Sequence, residues 1–120
     1  MKARALTRKD TGMNRLETAY WQHLLSLRAE GEILDCMWQP IKLNLSPGQA
    51  CTYTPDFMVV RLDGTLEFHE TKGFWRDDAL VKIKVAADKF PFVFVAVQRK
   101  RKADPWIYRY FTKEINETDK

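Results

Sequence analysis

The stretch YTPDFMVVRLDGTLEFHETKG, residues 53–73, decides the fold of this chain. It predicts two short strands joined by a turn at Asp63-Gly64, a dipeptide typical of tight hairpins. Successive side chains of a strand point to opposite faces. One face of the second strand should therefore carry Leu66, Phe68, Glu70 and Lys72, and the other Glu67, His69 and Thr71. A largely apolar face thus ends in a carboxylate and an ammonium group.

Charges at the end of an apolar face need compensation, because burying them unpaired costs several kcal/mol. Asp56 adds to the anomaly, since it lies in a strand-like run and Asp is depleted in strands. Two carboxylates on adjacent strands, Asp56 and Glu70, would form a hard-oxygen site that suits Mg²⁺ together with waters and phosphate oxygens. Lys72 could orient or help deprotonate a water and stabilise charge on the phosphate. The sequence therefore predicts a metal and phosphate site.

The composition is that of a folded, modestly basic chain. Its 120 residues are enough for one domain with a real core, so residues 1–120 are expected to form a single unit. The formal charge of +4 and the pI of about 9.1 are compatible with nucleic-acid binding but do not establish it. Residues 1–12 are basic and predict a flexible arm, and residues 114–120 predict a frayed tail.

The expected location is the cytoplasm. Cys36 and Cys51 are too far apart for a CxxC-type metal pair and are predicted to be free thiols in a reducing compartment. The N-terminus has no signal-peptide pattern, and no apolar run approaches the roughly 20 residues that span a bilayer. We therefore expect no membrane association.

A first helix is predicted from Asn14 to about Gly31. Asn14 and Glu17 fit a capping box, and apolar residues follow at helical spacing at positions Leu16, Tyr20, Leu24 and Leu27. If this helix packs across the end of the sheet that carries Asp56, Glu17 would add a third carboxylate there. The capping role and the site role of Glu17 are compatible with each other.

The remaining elements predict an α/β fold. Strands are expected over residues 36–45, 50–60 and 65–72, with Pro40 either on an edge or breaking the first ladder, and with Asn44 opposite Cys51. A second helix runs from Asp77 or Asp78, a pair that suits its N-cap, to Lys89. A strand buried on both faces follows at residues 92–97 and a last strand at 106–112. Tight turns make the first three strands antiparallel and the helical crossover makes the third and fourth parallel. The result is a mixed central β-sheet flanked by helices.

Pro55-Asp56, followed after thirteen residues by Glu70-Thr71-Lys72, resembles the PD-(D/E)XK nuclease superfamily. The predicted order of helix, three strands, helix and strand over residues 13–98 is similar to the restriction-endonuclease-like core. The chain also looks like small phage-encoded endonucleases of the junction-resolving and transposon-end-cutting types. That likeness lies in Glu30-Gly31-Glu32-Ile33, Gln39-Pro40, Tyr53-Thr54-Pro55-Asp56-Phe57 and Glu70-Thr71-Lys72-Gly73.

The resemblance implies a metal-dependent DNA endonuclease. It implies Asp56 and Glu70 as metal ligands, Lys72 as the catalytic lysine, Glu17 as a further catalytic acid and ligand, and Gln98 as an additional active-site residue. The cofactor would be Mg²⁺, with Mn²⁺ as a substitute, and water activated near Mg²⁺ and Lys72 would leave 5′-phosphate and 3′-hydroxyl ends. Branched or structured DNA is the expected substrate, as in phage recombination, replication or repair. The family also suggests a homodimer and, if the chain is phage-encoded, the cytoplasm of a bacterial host.

DNA contacts are predicted in the basic segments, at Lys82, Lys89, Arg99, Lys100, Arg101 and Lys102, with the N-terminal arm. Phe74 and Trp75 are candidates for stacking on a distorted duplex or for ordinary packing. His69 faces away from Glu70 and is expected to be a satisfied or solvent-facing histidine, and His23 to be structural. Three alternatives stay open: a non-catalytic DNA-binding protein on the same fold, an RNA-directed nuclease or RNA-binding module, and a basic scaffold without nucleic acid.

Overall fold

The fold is described by a computed structural model for residues 12–49 and 51–113, in which two α-helices and a short 3₁₀ helix (Pro47–Gln49) accompany seven strands. The helices are α1 (Arg15–Ala29) and α2 (Asp77–Lys89). The strands are β1 (Asp35–Trp38), β2 (Leu43–Asn44), β3 (Thr52–Tyr53), β4 (Phe57–Val60), β5 (Leu66–Lys72), β6 (Val93–Gln98) and β7 (Ile107–Phe111). The predicted arm, apart from Gly12, and the predicted tail lie outside the described residues.

Five of the strands form one mixed sheet in the order β1-β4-β5-β6-β7. The β1–β4 and β4–β5 pairs are antiparallel, the β5–β6 pair is parallel, and β7 pairs antiparallel with β6. This confirms the predicted α/β class and the parallel crossover through α2. Gly64, with φ +87°, closes the predicted turn between β4 and β5, where its N–H donates to the Arg61 carbonyl at 2.9 Å.

The sheet is covered on both faces, and each face has its own core. On one face α1 packs with Tyr20 and Leu24 against the buried side chains of Phe57, Val59, Val95 and Val97. On the other face α2 and the short β2–β3 ribbon cover Phe68, Phe94 and Ala96. Alternation along β5 therefore sends Phe68 and Glu70 to the α2 face and His69 and Thr71 to the α1 face, as predicted.

The helix boundaries agree with the predictions except at one cap. Asn14 and Glu17 form the capping box at the start of α1, with both hydrogen bonds at 2.8 Å. At the start of α2 the predicted aspartate cap is wrong: Arg76 occupies the N-cap and makes no side-chain cap hydrogen bond. Asp77 and Asp78 are instead the first two helical residues, where their charge still complements the helix dipole.

Two predicted long strands are each divided in two. The chain leaves β1 after Trp38 because Gln39 adopts a left-handed backbone (φ +43°) and Pro40 has no N–H for a ladder. Pro55 similarly separates β3 from β4, so Asp56 lies just before a strand and not inside one. The β2–β3 register also differs from the predicted one by a residue, since Asn44 lies opposite Thr52.

Both cysteines are free thiols, as predicted. Within residues 12–49 and 51–113, the structure contains no helix with the length and apolar character that crossing a membrane requires.

Candidate active site

Asp56 and Glu70 meet at one edge of the sheet because of the β4–β5 register. Phe57 pairs with His69, so the residue before Phe57 lies beside the residue after His69. The two acids also bind each other's strand: the Asp56 N–H donates to Glu70 Oε2 at 3.2 Å, and the Thr71 N–H donates to Asp56 Oδ2 at 3.0 Å. The structure therefore brings together the two carboxylates that the sequence analysis paired.

The two oxygens of the Asp56 carboxyl group differ in their hydrogen bonding within the described residues. Oδ2 accepts hydrogen bonds from the N–H and from the hydroxyl of Thr71, both at 3.0 Å. Oδ1 has no hydrogen-bond partner among the described residues, and it is not fully buried. The backbone is held as well, since the N–H of Gln39 donates to the Asp56 carbonyl at 2.8 Å. A fixed carboxylate with one available oxygen suits a metal ligand.

Glu70 is oriented by Tyr53, a residue that the sequence analysis did not assign to the site. The Tyr53 hydroxyl donates to Glu70 Oε2 at 2.9 Å, while Glu70 Oε1 lies 3.9 Å from Lys72 Nζ. Burial and the negative charge of Glu70 raise the pKa of Tyr53, which keeps its hydroxyl protonated as a donor. Tyr53 adjoins the Pro55-Asp56 motif in sequence, but its contact with Glu70 depends on the folding of the β2–β3 ribbon.

Both carboxyl groups are harder to ionise than ordinary acids. Burial and the nearby charge of Glu70 raise the pKa of Asp56 to about 8. Burial also raises the pKa of Glu70, although hydrogen bonding to Tyr53 and the charge of Lys72 oppose the shift. Two buried acids that cannot both ionise easily are typical of functional sites.

The raised pKa of Asp56 predicts a pH-dependent stability difference between the parent and Asp56→Asn in metal-free buffer. Between pH 4 and pH 8, roughly, folded Asp56 retains a proton that the unfolded chain has released, so rising pH favours unfolding of the parent. The asparagine variant has no such proton. Its stability relative to the parent should therefore increase by a few kcal/mol over this range, as measured by urea unfolding in EDTA.

Asp63→Asn provides the matched control for that experiment. Asp63 is exposed, and its hydrogen bonds to Thr65 lower its pKa. Its contribution is present at neutral pH and is lost as the pH falls, so the sign of its effect is opposite. If the stability of Asp56→Asn relative to the parent stays constant or decreases with rising pH, the raised pKa of Asp56 is contradicted.

Glu17 lies near the carboxylate pair but has a structural partner. Its side chain accepts from the Asn14 N–H at 2.8 Å, which is the capping interaction. Its negative charge nevertheless contributes to the raised pKa of Asp56 and of Glu70. The first helix thus brings Glu17 into electrostatic range of the site, and both of its predicted roles remain compatible.

The predicted DNA-binding residues are spread over the molecule. Lys82 lies on the wall of a cavity of about 260 Å³ that also contains Glu70 and Lys72, and its Nζ donates to the Thr52 carbonyl at 3.3 Å. Lys89 lies at the other end of α2, next to the start of β6 and so at the opposite end of the β5–β6 pair from Lys72. Of the candidates on α2, only Lys82 is near the site.

Gln98 and the basic run follow at the end of β6. Gln98 pairs in register with Lys72, and its side-chain Nε2 donates to the Gly73 carbonyl at 3.3 Å. Arg99 lies over the ring of Trp106, 3.8 Å from its centroid, while Lys100, Arg101 and Lys102 are exposed in the following turn. The run therefore begins at the same edge of the sheet as Lys72.

His69 is a satisfied core histidine. Its Nδ1 lies 2.6 Å from the Tyr20 hydroxyl and its Nε2 lies 2.9 Å from Glu67 Oε1. Glu67 Oε2 also pairs with Arg61 Nε at 3.2 Å. Burial lowers the pKa of His69, which fits a neutral ring that donates to Glu67 and accepts from Tyr20. This buried network lies on the α1 face, away from Glu70.

The donor chemistry of the Asp56 and Glu70 pair fits Mg²⁺, which commonly takes one or two carboxylates and completes its shell with waters and phosphate oxygens. Each acid has one oxygen, Oδ1 and Oε1 respectively, without a hydrogen bond from the described residues. In the described part of the chain, no three His, Cys, Asp or Glu side chains form a group that could hold a metal ion. Comparison of the chain with protein-family models, with curated proteins and with solved structures gives no match.

Proposed function

We propose that this protein is a Mg²⁺-dependent DNA endonuclease with a restriction-endonuclease-like core. The order of α1, three sheet positions formed by β1, β4 and β5, then α2 and β6 supports the proposed core. The observation that carries the function is the convergence of Asp56, Glu70 and Lys72 at one end of the sheet, where both acids are buried. Two buried acids that do not both ionise readily without a cation are arranged for ligand binding at the expense of stability.

The proposed roles of the acids follow from their hydrogen bonds. Thr71 fixes Asp56 Oδ2, and Tyr53 fixes Glu70 Oε2, so the oxygens opposite them are those that would hold a divalent cation. Each acid also accepts a hydrogen bond from the backbone beside the other acid, which restrains both side chains. A ligand pair fixed in this way loses little side-chain entropy on binding.

Lys72 is proposed as the catalytic lysine. Its side chain is 44% exposed and lies 3.9 Å from Glu70, so its charge can reach both the carboxylate and a phosphate in the adjoining cavity. There Lys72 would orient a water for attack on phosphorus and offset the charge that develops on the phosphate oxygens. When bound, Mg²⁺ would supply positive charge for the phosphodiester and make a water more acidic. Water would add to phosphorus as the P–O3′ bond breaks, leaving 5′-phosphate and 3′-hydroxyl ends.

A cleavage assay tests the proposal. The parent protein is incubated with Mg²⁺ or with Mn²⁺ and with linear, nicked, flapped and four-way DNA, with matched RNA hairpins in parallel. We expect metal-dependent cleavage of DNA, strongest on branched substrates, and none in EDTA. Binding that persists in EDTA without cleavage of any substrate would favour a non-catalytic DNA-binding protein. Preferential cleavage of the RNA hairpins would favour an RNA-directed nuclease.

Lys72→Met should separate catalysis from binding. We expect turnover to fall by about a hundredfold to a thousandfold, because a positioned charge acting in the transition state is lost. The affinity for DNA in EDTA should change by only a few-fold, since one exposed cation contributes little to total phosphate neutralisation. Single-turnover cleavage and fluorescence anisotropy measure the two quantities.

Lys82→Met is the matched comparison for Lys72→Met, because Lys82 lines the same cavity but lies on α2. It should weaken DNA binding while leaving the single-turnover rate at saturating protein nearly unchanged. Equal losses of binding and rate in Lys72→Met would argue against a catalytic lysine.

A further inference from the structure

A second, smaller cavity adjoins the candidate active site on the α2 face of the sheet. It has a volume of about 90 Å³ and lies between Trp75, Leu80, Ala96, Gln98, Ile107 and Arg109. Trp75 also lines the 260 Å³ cavity that contains Glu70 and Lys72. Trp75 thus lines both cavities, which makes them neighbours on this face of the sheet.

The sheet register aligns Arg109 with Glu70. Glu70 pairs with Ala96, and Ala96 pairs with Arg109, so the three residues form one row across β5, β6 and β7. Residues of one row point to the same face, and two strand spacings separate the ends of the row by about 10 Å. The central residue, Ala96, is buried within the α2-face core and lines the smaller cavity between them.

Two side chains that line this cavity carry donors without an acceptor among the described residues. The Trp75 Nε1 is fully buried and is the one buried side-chain nitrogen or oxygen without a hydrogen-bond partner in the described ranges. A buried N–H of this kind is destabilising unless a ligand or a water accepts from it. Arg109 is exposed and forms no ion pair among the described residues, and its guanidinium carbon lies 5.0 Å from the centre of the Phe111 ring.

The unpartnered donors select an anionic ligand rich in oxygen. A guanidinium and an indole N–H can only donate, and a phosphate group can only accept, so the two are complementary. The acids that follow Trp75 most closely in sequence are Asp77 and Asp78. Both are exposed and line neither cavity. The sequence does not single out Arg109, because a lone arginine within an aromatic strand gives no signal of its own.

We propose that Trp75 and Arg109 form a phosphate subsite that binds a backbone phosphate of the same nucleic-acid strand, next to the one held at Glu70 and Lys72. This inference rests on the proposed function, because it takes the scissile phosphate to lie at Glu70 and Lys72. Within the subsite Arg109 supplies charge and Trp75 supplies a directed hydrogen bond. Gln98, whose amide N–H is donated to the Gly73 carbonyl, positions the turn that carries Trp75.

Binding in EDTA tests the subsite without requiring cleavage. Labelled DNA is titrated with the parent, with Arg109→Met and with Trp75→Phe, by fluorescence anisotropy at several salt concentrations. We expect Arg109→Met to weaken binding about tenfold and to reduce the slope of log K against log salt by about 0.9 for duplex or 0.7 for single-stranded DNA. Trp75→Phe should weaken binding about fivefold without changing the slope, because it removes a hydrogen bond and no charge.

Three further measurements separate a subsite from a general loss of charge or structure. Lys84→Met removes an exposed cation of α2 that lines neither cavity, and it should leave affinity within about twofold. Arg109→Lys should recover the parent's salt slope but only part of its affinity, since the bidentate fork is lost. Thermal unfolding of each variant within a few degrees of the parent shows that the fold is intact.

A neutral methylphosphonate scanned along the DNA strand locates the phosphate. We expect one position at which the substitution weakens binding of the parent but does not further weaken binding of Arg109→Met. Absence of such a position, or unchanged affinity and salt slope in Arg109→Met, would overturn the subsite. An unchanged affinity in Trp75→Phe would also overturn it, because the orphaned indole N–H would then have another acceptor.

The outcomes for the subsite and for the nuclease proposal are distinguishable. Binding that depends on Trp75 and Arg109, without cleavage by the parent in Mg²⁺ or Mn²⁺, supports the subsite and contradicts the nuclease. Cleavage that depends on Glu70, with binding and KM unchanged in Arg109→Met, supports the nuclease and contradicts the subsite.

Discussion

Replacing Glu70 by glutamine is expected to lower Mg²⁺-dependent DNA cleavage by about a thousandfold and to leave the folded protein nearly as stable as before. The amide keeps the shape of the side chain and an oxygen that can accept from the Tyr53 hydroxyl. It removes the negative charge with which Glu70 would hold the cation. Loss of several kcal/mol of charge stabilisation corresponds to about that factor in rate.

The stability should hold because the charge of Glu70 is poorly compensated in the metal-free protein. Burial raises its pKa, and the Lys72 ammonium at 3.9 Å is 44% exposed and compensates only in part. Removing an incompletely paired buried charge costs little when the hydrogen bonds are kept. The free energy of unfolding, measured with urea in EDTA, should therefore change by less than about 1 kcal/mol.

Glu67→Gln is the matched control, because Glu67 is a buried glutamate on the opposite face of the same strand. Although burial opposes the shift, hydrogen bonds and charges from His69 and Arg61 lower the pKa of Glu67. Breaking such a pair should destabilise the fold by about 3 kcal/mol, while the folded fraction cleaves DNA at nearly the parent rate. Parent-like cleavage by Glu70→Gln would show that the site is wrongly assigned.

Phe57→Ala is expected to produce the largest loss of stability, about 3–5 kcal/mol. Phe57 has no exposed surface, and its ring lies 5.6 Å from that of Tyr20, 5.9 Å from Trp21 and 5.2 Å from Trp38. Removing it leaves a cavity beneath α1 that the surrounding rings can fill only in part. A domain of this size has about 5–15 kcal/mol of stability in total, so the midpoint of thermal unfolding should fall by more than about 10 °C.

Phe74→Ala is the control of equal size, since Phe74 is 73% exposed. Its free energy of unfolding should remain within about 0.5 kcal/mol of the parent. Tryptophan fluorescence during urea unfolding measures both variants, because Trp21 and Trp38 lie beside Phe57. A Phe57→Ala variant as stable as the parent would contradict the description of the α1 core.

The predicted elements that depend on local chemistry agree with the structure, except for the aspartate cap of α2. The capping box of Asn14 and Glu17 involves residues three apart, and the turn at Asp63 and Gly64 involves neighbours, so each could be predicted from a few adjacent residues. The buried run of β6 and the helical crossover likewise indicated a parallel pair in a mixed sheet. The break at Pro40, which follows the edge strand β1, agrees with the prediction, whereas the break at Pro55 was not predicted, because whether a proline ends a ladder depends on the partner strand.

For the candidate site too, features of a single strand were predicted correctly, and contacts between residues distant in sequence were not predicted. Alternation along one strand placed Glu70 and His69 on opposite faces, and the fold agrees. The orientation of the acids could not be predicted, because the partners that fix them are distant in sequence. Tyr53 is 17 residues from Glu70, and Thr71 is 15 residues from Asp56.

The sequence alone determined the mixed α/β architecture, the two helices and the meeting of two acids and a lysine at one strand end. These follow from side-chain periodicity, caps and turns, which act over a few residues. Only the tertiary structure decided that the acids are dehydrated, that Tyr53 holds Glu70, and that Trp75 and Arg109 share a cavity beside them. Burial and register depend on the packing of three strands and a helix, and no local pattern in one chain specifies that packing.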